Sequence, residues 1–316
     1  MKTLTEKNNF RIIILLTITA TLLIFPSKCS SGVKLGIHIA LYSLVPAILP
    51  FLIFSNYILQ SGYSSLIGKL VHPLFKKLFK TSENGSYAAA LGFLCGYPLG
   101  AKITADLVRT GKISAAEGEY LFTFVNNPSP AFVLCYVSSL TFPDTGAKIK
   151  ALFLIYLPPL IIGICSRNHD FTGEISSDSR ENYLPFSKII DDSIFNAFTT
   201  LAKLTGYIII FSILASLISD IPGIPDTAGC LIYGALEITS GIYCISTSAL
   251  PPLIRYLLSV IFSVAGGAAV LFQINSVIQN SSLRLRLYIK YKLICVFLCI
   301  IIFLLMAAGI AGTAYL

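Results

Sequence analysis

The sequence predicts an all-α polytopic integral membrane protein: two inverted repeats, each with a re-entrant or broken helix, plus an extra N-terminal transmembrane helix. Three observations carry this expectation. Of 316 residues, 55% are hydrophobic and 12% charged, with a mean hydropathy of +0.80; a soluble domain carries about twice that charge. Apolar runs such as Leu201 to Ile218 and Leu293 to Ala311 are long enough to span a bilayer. Two other apolar stretches, Tyr87 to Lys102 and Cys230 to Gly241, are interrupted by Gly or Pro at matching places in the two halves. Backbone that leaves a helix inside hydrocarbon must be satisfied by protein or by water in a cavity. A pair of such segments therefore points to a solute site.

Each element follows in order. Ile12 to Phe25, behind Lys2, Lys7 and Arg11, forms the first helix, within residues 1–30. Lys28 stands where a signal peptidase needs a small residue, so this helix is expected to be retained. The first repeat, 31–166, opens with a span from Ile37 to Leu59 containing Pro46 and Pro50. An amphipathic basic stretch from Ser64 to Lys80 follows, then the broken segment and a polar helix-like run, Ala101 to Glu119. Tyr120 to Phe142 is a span interrupted by Asn126-Asn127-Pro128-Ser129-Pro130, and Ala151 to Cys165 is another. Residues 167–187 make a polar cytoplasmic linker. The second repeat, 188–316, has an amphipathic Asp191 to Thr200, a span from Leu201 to Ile218, and a turn from Asp220 to Asp226. The second broken segment comes next, then a span from Arg255 to Ile278, a basic loop with Arg284, Arg286, Lys290 and Lys292, and a last helix.

Charge bias gives these spans a direction. With the N-terminus in the cytoplasm, two re-entrant segments place Lys76, Lys112 and Arg284 to Lys292 inside and Asp220 and Asp226 outside. The two halves then enter the bilayer with opposite polarity. The net charge of +8 is explained by basic residues beside apolar spans, where anionic headgroups lie. No basic groove interleaved with aromatics is present, so no nucleic-acid partner is expected. The eight cysteines lie scattered, six of them in apolar sequence, and read as packing residues, with Cys295 and Cys299 on one helix face. His38, His72 and His169 are dispersed and no nucleophile or metal-ligand cluster appears, so neither an enzyme, nor a metal, nor a cofactor is expected.

Candidate substrate-binding residues gather at the breaks. Gly92, Gly96 and Gly100 form a stripe for close helix packing, or, with Pro98, a break whose free N–H groups face an anion. Tyr97 stacks on a planar ring or simply packs. Lys102 attracts a carboxylate or snorkels to headgroups. Asn126 and Asn127 cannot both face lipid cheaply; they offer donors to a solute or cap a broken helix. Glu237 couples proton movement or holds Thr239 or a lysine in place. Gly266, Gly267 and Gln273 form the matching surface of the second half.

The run Gly92-Phe93-Leu94-Cys95-Gly96-Tyr97-Pro98-Leu99-Gly100-Ala101-Lys102 resembles the YlbJ (SpoVV) sporulation membrane proteins, part of a wider group with nucleoside-recognition gate domains. The resemblance continues through Gly111 to Ser114, Glu117, Phe124 to Asn127, Leu236 to Gly241, Gly266-Gly267 and Gln273. Ser240 departs from the Asn expected there. The resemblance implies a transporter acting in endospore formation, moving dipicolinic acid from the mother cell across the outer forespore membrane by alternating access. A nucleoside-type carrier or a non-transporting sporulation scaffold are the alternatives. The implied partners are a small anionic solute and the lipid bilayer, with a coupling ion and homo-oligomer left open.

Overall fold

The computed structural model describes residues 12–13, 16–17, 19–141, 144–167, 185–218 and 226–313. Described residues are helical up to Ile24, and the chain breaks at Phe25, where Pro26 sits at the first helical position. From there α1 (Pro26–Ile39), a π-helical turn (Ala40–Leu44) and α2 (Val45–Gln60) run on with no cap between them. Position 30 thus falls inside α1. Pro46 starts α2, which also tolerates Pro50.

The basic stretch is α3 (Ser64–Phe79), ended by Lys80 in the left-handed region. Leu66, Leu70 and Leu74 stand exposed along it at one-turn spacing, with Ser64, Gly68 and Phe79 buried on the other side. The first broken segment is a helical hairpin, α4 (Glu83–Cys95) and α5 (Leu99–Arg109), separated by Gly96 at φ +80 and a cis Tyr97–Pro98 bond. The expected single run from Ala101 to Glu119 is two helices. Gly111, at φ +67, turns the chain after α5, and Ser114 caps α6 (Ala115–Phe122) by accepting from the Glu117 N–H. The interruption at Asn126 to Pro130 is non-helical as expected. Beyond it a π-helical segment (Phe132–Val137) leads into the short α7 (Ser138–Thr141). α8 (Thr145–Cys165), capped by Asp144, starts six residues before the expected span.

Residues 168–184, most of the polar linker, lie outside the described residues, as do Asp220 and the turn up to 225. The two expected elements Asp191 to Thr200 and Leu201 to Ile218 form one helix, α9 (Phe186–Ile218). No Pro or Gly intervenes at residue 200, so helix propagation crosses the change from amphipathic to apolar sequence. α10 (Asp226–Leu236) and α11 (Ile238–Thr247) make the second hairpin, broken at Glu237. The expected span Arg255 to Ile278 is divided into α12 (Pro252–Ala265) and α13 (Gly267–Val277) by Gly266 and Gly267, at φ +83 and +68. The last helix, α14 (Leu285–Thr313), swallows most of the expected basic loop.

Each half therefore presents the same order: a helix hairpin, a second helix interrupted by a break, and a long closing helix. Four helical segments among the described residues are long and apolar enough to cross a membrane: Thr145–Cys165, Phe186–Ile218, Pro252–Val277 and Leu285–Ala307. Their lipid-facing surfaces are legible. On α14, Leu293, Phe297 and Leu304 are exposed while Tyr288, Lys292, Cys295, Cys299 and Phe303 form the buried stripe. That spacing is one helix face turned to the protein interior. α9 packs along α1 and α2 and also touches α10 and α13, so it ties the first elements of the chain to the second half.

Candidate functional site

The hairpins are held by glycines that let backbone meet backbone. A side chain on Gly100 would come within 2.7 Å of the Val125 carbonyl and 3.0 Å of the Gly92 Cα. Gly92 is pressed against the same Val125 carbonyl. In the second half Gly241 lies directly on Gly234, and Gly267 packs on the carbonyls of Gly234, Ala235 and Leu236. The glycine stripe thus serves close packing in both hairpins. In each half the hairpin leans on the break of the following helix: residues 125–129 in the first, Gly266-Gly267 in the second.

Freed backbone groups at the first break find partners across it. The Tyr97 N–H donates to the Asn127 carbonyl (2.6 Å), and the Ala101 N–H donates to the Asn126 side-chain oxygen (3.2 Å). Asn126 therefore caps α5 from another segment and donates to the Tyr288 hydroxyl (3.4 Å). Asn127 donates to the Phe124 carbonyl (2.7 Å) and accepts from the Lys292 ammonium (3.1 Å). Lys292 is only 7% exposed, sits 5.7 Å from the centre of the Tyr288 ring, and has no carboxylate partner among the described residues. A buried cation inside a membrane-crossing helix is expensive and marks a functional position by default. Sequence reading placed Lys292 in a cytoplasmic basic loop. The structure corrects this: it is an interior residue of α14, aimed at the Asn126-Asn127 break.

The second break is organised by Glu237. Its carboxylate accepts from the Thr239 N–H (3.1 Å), the Ser240 N–H (2.8 Å), the Ser240 hydroxyl (2.9 Å) and the Thr239 hydroxyl. It is the N-cap of α11, so of the two roles expected for it the structure displays the holding of Thr239. The expectation that all the cysteines only pack is overturned here: Cys230 of α10 and Cys244 of α11 form a disulfide, with a Cα–Cα distance of 5.3 Å. The Gly234–Gly241 contact brings these two helices close enough for it. The other six cysteines are free thiols, and Cys295 and Cys299 are buried on one face of α14 as expected.

The two breaks meet around a cavity of about 80 Å³, lined by Cys95, Tyr97, Pro128, Ser129, Glu237, Thr239 and Gln273 among others. Gln273 is buried and its amide has no hydrogen-bond partner among the described residues, and the Tyr97 hydroxyl is fully buried, likewise without one among them. The Tyr136 hydroxyl donates to the Thr239 carbonyl (3.0 Å), linking the second break of one half to the first break of the other. Of the expected site residues, the structure gathers Tyr97, Glu237, Thr239 and Gln273 around this cavity. Gly96 packs behind it against Ser129, whose N–H stands where its Cβ would be. Asn126 and Asn127 lie beside it with Lys292. Gly266 and Gly267 form the break between α12 and α13, with Gly267 packed against the second hairpin. Lys102 is elsewhere: it is buried, donates to Asp106 (2.7 Å) and Asn56 (2.9 Å), and faces a separate cleft.

Among the described residues, no group of three or more His, Cys, Asp and Glu is placed to hold a metal ion. Residues 41–142, which contain the first hairpin and the Asn126-Asn127 break, match the family model described as Gate: Nucleoside recognition. The chain is also 28% identical over 243 residues to the sporulation integral membrane protein YlbJ of Bacillus subtilis (strain 168). That alignment covers 71% of this chain and 59% of the relative, so the chain spans about six-tenths of the length of the curated relative it matches. No solved structure matches the chain. Both matches support the family resemblance carried by the Gly92 to Lys102 run.

Proposed function

We propose that the protein is a membrane carrier for a small, polar, ring-bearing solute, built on two inverted gate-type repeats and acting by alternating access. The observation that carries this reading is the cavity lined by both chain breaks, with the buried Tyr97 hydroxyl unbonded at its wall and the Gln273 amide beside it. Polar groups buried without partners cost free energy, and a solute that bonds to them recovers it. A scaffold has no need of such groups. At about 80 Å³ the cavity is far smaller than the roughly 300–1,000 Å³ of an ordinary ligand site. Binding therefore requires the hairpins to part, as an occluded state of a carrier does.

Two solutes are separated by charge. A nucleoside is favoured by the gate-domain match over the segment that supplies Tyr97 and the Asn pair. Dipicolinate is favoured by Lys292, a buried cation with no carboxylate partner among the described residues, and by the sporulation relative. For a planar dianion Lys292 supplies positive potential, and Asn127, Tyr97 and Gln273 supply donors or orientation. In that case the protein works in the membrane of a sporulating bacterium, at the outer forespore membrane, importing from the mother cell.

Uptake of labelled dipicolinate and of labelled nucleoside into vesicles carrying the purified protein decides between them. Uptake of either, competed by the unlabelled compound and lost in Lys292→Met for the anion, sustains the carrier reading. No uptake of either by a folded, inserted protein leaves a scaffold.

A further inference from the structure

Beyond the gate, a cleft of about 420 Å³ opens between α2, α5, α9 and the end of α13. Three polar helix stripes face it. From α5 come Lys102, Asp106 and Arg109; from α9, Asn196, Thr200 and Lys203; from α2, Asn56. Its floor is a buried chain of bonds. Asn56 donates to the Ser193 carbonyl of α9 (3.3 Å) and accepts from Lys102 (2.9 Å), while Lys102 also binds Asp106 (2.7 Å). Arg109 pairs with the other Asp106 oxygen and donates to the Val277 (3.3 Å) and Gln279 (2.8 Å) carbonyls.

One carboxylate thus faces three cations. Both Asp106 oxygens are engaged, and the Lys102 ammonium, with three donors, has bonded two. Among the described residues Lys203, exposed at the rim, makes no ion pair or hydrogen bond, and the Asn196 amide, two turns earlier on the same stripe, is likewise unbonded. The cleft holds more positive charge and more donors than its own acid consumes.

We propose that this cleft is an oxyanion-binding site distinct from the gate cavity, taking a small carboxylate or phosphate group, and that it is the antechamber of the gate. The geometry supports the second clause. α2 lends Ile48 to the gate cavity and Asn56 to the cleft, about 12 Å further along the helix. α13 lends Gln273 to the first and Ser276 to the second. α9 lends Ile208 to the gate cavity and Lys203 to the cleft, so a group held at Lys203 is stationed on a helix that also walls the gate. Only the antechamber role rests on the carrier reading; binding in the cleft stands without it.

Lysine footprinting tests the site locally. The full-length protein in nanodiscs of zwitterionic lipid is acylated with a small amine reagent, and modification of Lys203 is followed by mass spectrometry. Pyridine-2,6-dicarboxylate at about twice its dissociation constant should slow that reaction about threefold, and more salt should weaken the protection. Uncharged pyridine-2,6-dimethanol should not protect. In a second arm, discs with anionic lipid and no solute are compared. Protection by the dicarboxylate assigns the site to a soluble anion, and protection by the lipid alone assigns it to a headgroup phosphate. Thr200→Val and Asn196→Leu should reduce the protection while leaving Lys203 reactive.

Asn127→Leu separates this claim from the function proposed above. It should abolish uptake and leave protection of Lys203 intact, whereas loss of both would tie the anion to the gate alone. Unchanged Lys203 reactivity in both arms, or equal protection by the dimethanol analogue, overturns the proposal.

Discussion

The ammonium of Lys292, on the last helix, donates to the side-chain oxygen of Asn127, in the first repeat, with both residues buried. One bond thus ties the polar break of the first half to the closing helix of the second. It also changes what substitution at Asn127 does. The amide is the acceptor of a charge that has no carboxylate, so Asn127→Leu should destabilise the folded protein by roughly 1–3 kcal/mol. Lys292→Met in the Asn127→Leu background should restore stability without restoring uptake, because no charge is then left unpaired. Thermal unfolding in detergent and vesicle uptake of the two single variants and the double variant measure this. Additive losses of stability would mean that the two residues are not coupled.

Glu237→Ala removes four acceptor contacts from the start of α11 and should cost about 0.5–2 kcal/mol, the range of a lost helix N-cap. Glu237→Asp, which shortens the reach but keeps the carboxylate, should lose less. Uptake by Glu237→Gln distinguishes capping from proton coupling. A Gln variant that still carries solute against its gradient shows that Glu237 needs no proton for the cycle.

Cysteine counting tests the second hairpin. Denatured without reductant, the protein should react with a polymer-tagged maleimide at six of its eight thiols, and at all eight after reduction. Replacing Cys230 and Cys244 by Ser removes a link closing a short loop and should lower stability by about 3 kcal/mol. Eight reactive thiols without reductant would remove the bridge.

Glu117 gives a pH dependence. Burial raises its carboxyl above the ordinary glutamate range, opposed by the Ser82 N–H that donates to it at 2.7 Å. With the folded value raised, the protonated form favours folding. That contribution is complete below the unfolded value of about 4.3 and is lost as pH rises through the folded value. Glu117→Gln keeps an acceptor for Ser82 and cannot ionise. Its stability relative to wild type should therefore increase as pH rises from about 4 toward neutrality, read as the difference in unfolding temperature. A difference constant with pH would count against it.

Sidedness follows from the charge bias. A single cysteine at Thr247, in a background without accessible native thiols, should react with an impermeant reagent from the outside, and one at Lys76 only from the cytoplasm. Both positions lie in described segments, whereas Asp220 does not. Labelling of Thr247 from the cytoplasmic side would remove the inverted arrangement.

Two breaks are legible in the sequence because Gly and Pro announce them, Gly96-Tyr97-Pro98 and Asn126 to Pro130; the second hairpin lies in the expected stretch Cys230 to Gly241, but its break at Glu237 is marked by neither residue. Three things were hidden. By sequence Lys292 reads with Arg284, Arg286 and Lys290 as one basic loop, since charge alone does not say where a helix begins. Its helical spacing with Tyr288, Cys295 and Cys299 was the available signal, and that stripe is the buried face of α14. The Cys230–Cys244 bridge was invisible because cysteines in apolar sequence look alike until a hairpin folds one helix onto the other. Its position in the chain puts Lys102 at the break. Asp106, one helical turn on, draws it to the opposite side of α5.

The 33 residues of α9 make a rod about 50 Å long, against about 30 Å of hydrocarbon. Such a rod tilts or projects, and its sequence says which end projects. Lys188, Asp191 and Asp192 crowd the first turns, whereas nothing charged follows Lys203 up to Ile218. α9 is thus a yardstick on which the bilayer finds its level, its charged end toward the surface and its uncharged end in hydrocarbon. Because α1, α2, α10 and α13 are fastened to this yardstick and its own Ile208 lines the cavity between the breaks, the depth of that cavity follows the seat of α9. Thickening or thinning the bilayer should therefore tilt the whole molecule before it changes the spacing of the two hairpins.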